Sequence, residues 1–241
     1  MLEFSSPRDV LHQGRRFLCL LAFTESMEVV TIVDMQEVVA WLRRLANLDF
    51  RVFDEIRTNP TATIPGLLVA TVAIFLSGLG GWLWWVVKDY PQSQDILVNS
   101  ALIGSLLAVV LWVIGWLGVV YFMLTQIFRE RAYVEQLLRV MGLASAPLGF
   151  MLFMFIPGLS LAIGLASLAL AFGLSNIAIR SVTTADPARV LVANLTGFFV
   201  WCAALTLLAS ASASSIEPHA PGIFLYNAIT SIASDLLNFS G

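Results

Sequence analysis

The stretch QLLRVMGLASAPLGFMLFMFIPG, residues 136–158, contains a single charged residue, Arg139, and is apolar from there to a proline and a glycine. The 40 residues that separate Arg139 from Arg180 include no ionisable side chain. One helix needs roughly 20 apolar residues to cross a membrane, so this run is long enough for two crossings. Because Pro157-Gly158 lies near its middle and this dipeptide is typical of a turn, we predict a tight helical hairpin. Its arms are predicted at residues 140–156 and 159–179.

Three further uncharged runs have the length of a membrane span, at residues 64–87, 96–128 and about 190–213. The chain is 59% hydrophobic and only 12% charged, whereas a soluble domain has about 25% charged residues. The sequence therefore predicts an all-α integral membrane protein with five transmembrane helices. Pro147 lies inside the first arm of the hairpin and should kink that helix, because proline removes a backbone donor and clashes with the preceding turn.

The chain before the first span is polar. Residues 1–63 hold 7 of the 13 basic and 9 of the 16 acidic residues. A D-x-x-E capping box, Asp34/Glu37, and apolar residues at helical spacing predict an amphipathic helix here; the apolar residues are Val38, Trp41, Leu42 and Leu45. Such a region lies in the membrane interface or forms a small soluble cap, and the sequence leaves both open. The predicted organisation is an N-terminal region 1–63, a membrane domain 64–213, and a tail 214–241 with a short amphipathic helix.

Basic residues indicate the orientation of the spans. Twelve of them fall on segments that share the side of the N-terminus, and only Lys88 falls on the other side. Loops rich in arginine and lysine stay in the cytoplasm, so we predict the N-terminus inside and the C-terminus outside. Arg139 should extend to the inner membrane surface while the hairpin begins below it.

Short motifs flank the first and third spans. Residues 51–57 read RVFDEIR, residues 60–63 read PTAT, and residues 136–147 read QLLRVMGLASAP. Together with the Pro157-Gly158 hairpin and the position of the fifth span, these motifs resemble the Yip1 domain family in its bacterial form, over roughly residues 48–213. The resemblance implies a multi-pass protein of the bacterial cytoplasmic membrane that binds other membrane proteins. It implies no catalytic residues.

Patterns that would indicate catalysis, metal binding or transport are missing from the sequence. His12 and His219 fall on opposite sides of the predicted membrane, as do Cys19 and Cys202, so neither a two-histidine metal site nor a disulfide is expected. The span interiors contain no ionisable residue, whereas ion and proton pathways are usually marked by one. A net charge of -3 without a long basic run gives no support for nucleic-acid binding. We therefore expect no enzyme, no cofactor and no soluble substrate.

Two groups of residues remain as candidates for recognition. The first consists of deep tryptophans that either pack internally or contact a lipid, quinone or pigment tail, or a partner helix: Trp112, Trp116 and Trp201. The second consists of residues that would dock a partner: Phe50, Phe53, Asp54, Glu55, Arg139, Gly158, Ala162 and Ala166. In the second group, Phe50 and Phe53 belong with Ile56 to one apolar stripe, and Asp54, Glu55 and Arg139 are expected to cluster at the inner surface. The last three are small residues that permit close helix approach, toward this chain or toward another.

These observations favour a non-enzymatic membrane protein that acts by assembly. It would associate with other membrane proteins or with itself in the lipid bilayer, as a scaffold or accessory subunit of a larger membrane complex or as a homo-oligomer. The alternative is a transporter or pore for a small solute or lipid.

Overall fold

The structure is a computed structural model that describes residues 35–87, 97–156 and 158–212. All regular elements in these ranges are helices, and five stretches are long and apolar enough to cross a membrane. We number these stretches spans 1 to 5: Pro60–Trp84, Leu102–Ile127, Val134–Phe155, Ser160–Val182 and Pro187–Leu207. The predicted fold class, an all-α protein with five membrane-spanning helices, is confirmed.

The chain divides into two units, Met1–Ala40 and Trp41–Gly241, and all five spans belong to the second. Helix α1, Met35–Ala46, begins in the first unit and ends in the second. Several sequence-based expectations lie outside the described residues: the Asp34 cap, the cysteine and histidine positions Cys19, His12 and His219, Lys88, Pro157 and the predicted tail helix.

Two elements lead into span 1. Helix α2, Val52–Thr58, ends at Asn59, where the following proline prevents its continuation. The Asn59 side chain then accepts a hydrogen bond from the Thr61 backbone and begins a 3₁₀ turn, Pro60–Ala62. The long helix of span 1 follows directly as Thr63–Val87.

Span 2 alternates between π and α geometry and ends where Arg129 adopts a positive φ of 56°. Its π segments are Leu97–Gly104, Trp112–Leu117 and Met123–Ile127, and its α segments are Ser105–Leu111 and Gly118–Phe122. The helices of spans 4 and 5 are regular, at Ser160–Val182 and Pro187–Ser212.

Span 3 differs from its predicted form. It starts at Val134, six residues earlier than expected, as an α-helix Val134–Ala144, and continues as a 3₁₀ helix Ala146–Phe155. Pro147 occupies the first turn of the 3₁₀ segment. A backbone N–H in the first turn has no acceptor within its helix, so proline costs no hydrogen bond there. The predicted disturbance at Pro147 thus takes the form of a change from α to 3₁₀ geometry.

Span 3 is the central helix of the membrane unit, since 67% of its membrane window is buried, more than in any other span. It meets span 1 at two glycine contacts. A Cβ atom added to Gly142 would overlap the backbone of Gly66, and one added to Gly80 would overlap the Met151 carbonyl. These positions hold spans 1 and 3 at a separation that only glycine permits.

Candidate functional site

Arg139 is buried inside the protein at the start of span 3, where only 7% of the residue is exposed. Its Nε donates to Thr63 Oγ1 at 2.7 Å, and its Nη1 donates to the Arg57 carbonyl at 3.1 Å. Its Nη2 donates to Glu135 Oε2 at 3.2 Å. The guanidinium is thus bound by three acceptors of its own chain, two of which lie at the starts of spans 1 and 3, and its extension to the membrane surface stays a prediction.

Arg57 continues this set of contacts to span 4. Its Nη1 donates to the Ser181 carbonyl at 2.6 Å, in the last turn of the span 4 helix. Carbonyl groups in the last turn of a helix have no partner within that helix and carry partial negative charge, so arginine is well suited to bind them. Arg139 binds the last turn of α2 in the same way. We call these two arginines and their partners Thr63 and Ser181 the arginine latch.

The arginine latch holds α2 against the membrane unit. Val52, Phe53 and Ile56 are almost completely buried, and α2 packs against spans 3 and 4. The predicted apolar stripe is therefore covered by this chain at Phe53 and Ile56, and only Phe50 remains half-buried. In this conformation Phe53 has no surface to offer to a partner, and its packing explains how the latch partners are brought together.

The carboxylates near α2 bind other arginines. Arg44 bonds both Asp49, at 2.9 Å, and Glu55, at 2.6 Å, and these hydrogen bonds hold the pKa of each carboxyl below its ordinary value. Asp54 lies 3.7 Å from Arg57. Asp54 and Glu55 thus pair with Arg57 and Arg44, whereas Arg139 pairs with Glu135, and the predicted cluster of Asp54, Glu55 and Arg139 stays a prediction.

The deep tryptophans of spans 2 and 5 form the interior of the bundle. Trp112 and Trp116 are almost fully buried, and Trp201 is 5% exposed. The rings of Trp116 and Trp201 lie 5.2 Å apart, and Trp201 Nε1 donates to the Ala108 carbonyl at 3.3 Å. Close packing of the two spans is possible because Gly197 faces the Trp116 carbonyl, which would lie 2.6 Å from an added Cβ atom.

Asn194 joins three spans through a buried polar cluster. It is fully buried, and its Oδ1 accepts from Trp116 Nε1 at 2.8 Å. Its Nδ2 donates to the Phe172 carbonyl at 3.2 Å and to Ser175 Oγ at 3.0 Å. Spans 2, 4 and 5 are thereby linked by buried hydrogen bonds, the contacts by which polar side chains join helices in membranes.

A small cavity of about 50 Å³ lies where all five spans meet. Its lining is apolar apart from two hydroxyls and a thiol: Ile74, Ser77, Ala108, Leu148, Met151, Leu168, Trp201, Cys202, Leu205 and Thr206. Ligand sites for drug-sized molecules have volumes of about 300–1,000 Å³. This cavity therefore has room for a few atoms and not for a quinone or a lipid chain.

The small residues of span 4 face away from the bundle. Ala162 and Ala166 are exposed, and the opposite side of the helix, including Gly164 and Ser167, is buried. Gly158 is also exposed, with a φ of 79° that favours glycine at the start of the second hairpin arm. Among the described residues, no helix covers the face of Ala162 and Ala166.

Within the described residues, no group of three or more histidine, cysteine or acidic side chains is arranged to hold a metal ion. No family model, no curated protein and no solved structure matches the chain. The fold and composition define a multi-pass membrane protein. The resemblance to the Yip1 domain family stays an expectation based on the motifs in the sequence.

Sequence reasoning identified Arg139 but missed its partners Arg57, Thr63 and Ser181. Two signals were present in the sequence. Arg57 lies one turn before the Asn59-Pro60 helix stop, where a basic residue is typical of a helix C-terminus, and Arg139 follows Glu135 at i+4, the spacing of an ion pair on one helix face.

Proposed function

We propose that this protein acts by assembly in the membrane, as a non-enzymatic scaffold or accessory subunit or as a homo-oligomer, and that span 4 provides its docking face. The observation that carries the proposal is the exposure of a continuous row of small residues on span 4, namely Ala162, Ala166, Ala169 and Gly173. Gly173 is half-exposed, and a Cβ atom added there would meet nothing within 4 Å.

The internal packing of this chain supports a role for that row. Close approaches within the bundle use glycine at Gly66, Gly142, Gly80 and Gly197. Small residues let helix backbones approach each other, and van der Waals packing of this kind drives helix association in lipid. The row on span 4 offers the same kind of surface, and no helix in the described part of the chain packs on it. The motifs in the sequence resemble the Yip1 domain family, whose members bind other membrane proteins. This resemblance also favours a role in assembly.

Transport has less support. The only Asp, Glu, Lys or Arg side chains in the five described spans lie near span ends, at Glu135, Arg139, Arg180 and Arg189, and the cavity at the centre of the spans measures only about 50 Å³. No observation on the described residues favours a pathway across the membrane, so we keep assembly as the function to test.

The test replaces the small face and measures association. Ala162→Leu/Ala166→Leu adds two bulky side chains to the outside of span 4 without adding charge. Val200→Leu/Ala203→Leu is the matched control, because both residues are exposed on span 5 and lack the small-residue spacing. Association is measured by energy transfer between labelled copies in liposomes and by co-purification of defined subunits from the native membrane in mild detergent.

We expect the span 4 variant to lose association at normal abundance and the span 5 variant to retain it. Equal association of both variants and the original protein would contradict the docking role of span 4. Loss of the folded protein in the span 4 variant would contradict the outward placement of Ala162 and Ala166.

A further inference from the structure

We infer that this protein binds anionic phospholipid headgroups through Arg129, Arg131 and Arg180. The contacts that support this inference define one side of the bundle. Arg139 joins the start of span 3 to the start of span 1, and Arg57 joins α2 to the end of span 4. Arg189 joins the start of span 5 to Glu130, at the end of span 2. We call this side, which carries all nine arginines of the described residues, the arginine side.

Six carboxylates of residues 41–212 lie in the part of the chain that the structure describes, and each of them has a partner. Five of the six lie within ion-pair distance of an arginine: Asp49, Asp54, Glu55, Glu130 and Glu135. The sixth, Asp186, accepts a hydrogen bond from the Ala188 backbone at the start of span 5. These pairs use four arginines, Arg44, Arg57, Arg139 and Arg189. Within the described part of residues 41–212, none of the other arginines lies within ion-pair distance of a carboxylate.

Five arginines of the described residues remain exposed and without an ion pair: Arg43, Arg51, Arg129, Arg131 and Arg180. Three of them lie at the ends of spans. Arg129 follows span 2 by two residues, Arg131 precedes span 3 by three, and Arg180 lies in the last turn of span 4. Phosphate groups of lipids lie at this depth, and arginine binds phosphate oxygens with paired hydrogen bonds.

The backbone at Arg129 determines where this side chain lies. Span 2 ends with Phe128 N–H bonded to the Met123 carbonyl and Glu130 N–H bonded to the Leu124 carbonyl, which places Arg129 in the left-handed region with a φ of 56°. Glycine or asparagine is usual at such a helix end, because other side chains are strained there. The turn at Arg129 ends span 2 and leaves the arginine exposed just beyond the last residue of the span.

The experiment titrates the purified full-length protein in detergent with phosphatidylglycerol and with phosphatidylcholine of the same chain length. Bound lipids are counted by native mass spectrometry at low and high salt. The test variant is Arg129→Gln/Arg131→Gln/Arg180→Gln. The control variant, Arg43→Gln/Arg51→Gln, removes two exposed, unpaired arginines that lie before span 1.

We expect the original protein to prefer phosphatidylglycerol and the test variant to lose this preference. Each basic residue near an anionic surface contributes about fivefold in affinity at low salt, so three substitutions should reduce it by about 100-fold. Phosphatidylcholine binding should not change, and the control should keep most of its preference. Unchanged phosphatidylglycerol binding in the test variant, or an equal loss in the control, would overturn the inference.

A second variant separates binding from folding. Arg129→Gly removes one charge and supplies the residue that favours a positive φ, so it should fold at least as well as the original protein. We expect a reduction of about fivefold in phosphatidylglycerol affinity without a lower thermal midpoint. An unchanged affinity would count against Arg129 as a ligand. Competition by soluble glycerol phosphate as effective as that by the lipid would show a phosphate site and overturn the lipid as its occupant.

Discussion

Replacing Arg139 with methionine should destabilise the protein by breaking the arginine latch. The variant keeps an unbranched apolar chain but leaves Thr63 Oγ1 and the Arg57 carbonyl without their donor. An unsatisfied buried acceptor costs about 1–3 kcal/mol, so the two together cost about 2–6 kcal/mol. Glu135 contributes little to this sum, because 78% of its side chain is exposed and an exposed ion pair contributes about 0–1 kcal/mol.

The measurement is thermal unfolding in detergent, with hydrogen exchange of α2 as a local readout. For a chain of this size about 2–4 °C corresponds to 1 kcal/mol, so the midpoint should fall by roughly 5–20 °C. Backbone amides of residues 52–58 should exchange faster, because α2 loses its attachment to span 3. Glu135→Gln is the matched control and should leave both readouts nearly unchanged.

A double-mutant cycle with Thr63→Val identifies the contact itself. If Arg139 acts through Thr63, the double variant should be destabilised by less than the sum of the two single variants. A midpoint of Arg139→Met equal to that of the original protein would refute the reasoning. An equally large effect of Glu135→Gln would also refute it, since the exposed ion pair would then be the source of the stability.

Two further predictions concern packing and pH. Gly142→Ala and Gly80→Ala should each destabilise the protein by about 1–3 kcal/mol in thermal unfolding, because the added Cβ overlaps backbone, whereas Gly173→Ala, in open space, should not. At acidic pH, the thermal midpoint of Arg44→Gln should become equal to that of the original protein. Asp49 and Glu55 have folded pKa values lowered by Arg44 from 3.8 and 4.5, so their contribution is complete above about pH 4.5 and disappears as the pH falls through the lowered values. A difference in thermal midpoint that persists at pH 2 would show that Arg44 stabilises the protein through packing and not through its ion pairs.

The number and order of the spans could be predicted because lipid imposes a simple rule on sequence. A helix satisfies its own backbone in hydrocarbon, so uncharged runs of sufficient length identify spans without knowledge of their partners. The start of span 3 was placed too late for a related reason. Glu135 and Arg139 were taken as residues outside the membrane, but they pair with each other at i+4, and Arg139 is buried by contacts within the chain.

The arginine latch could not be predicted, because its acceptors are mostly backbone carbonyls. A sequence records which residue carries a guanidinium, but it does not record which helix end will be brought next to it. The contact depends on the burial of Phe53 and Ile56 between α2 and spans 3 and 4. The same apolar pattern is expected for a helix that binds a partner, so the stripe was assigned to an external surface when it belongs to the interior.

The exposed surface of span 4 differs in kind from the other lipid-facing surfaces of this protein. Leu106, Ile114 and Phe199 are each more than 60% exposed, but exposed large side chains are ordinary in a membrane, since lipid chains contact them as favourably as another helix does. Ala162 and Ala166 offer little area to lipid, yet they permit a second backbone to come close enough for extended packing. Replacing lipid with a partner helix therefore adds more van der Waals contact at the small face than at any leucine-rich face. This difference, rather than exposure alone, makes span 4 the face on which assembly should be tested first.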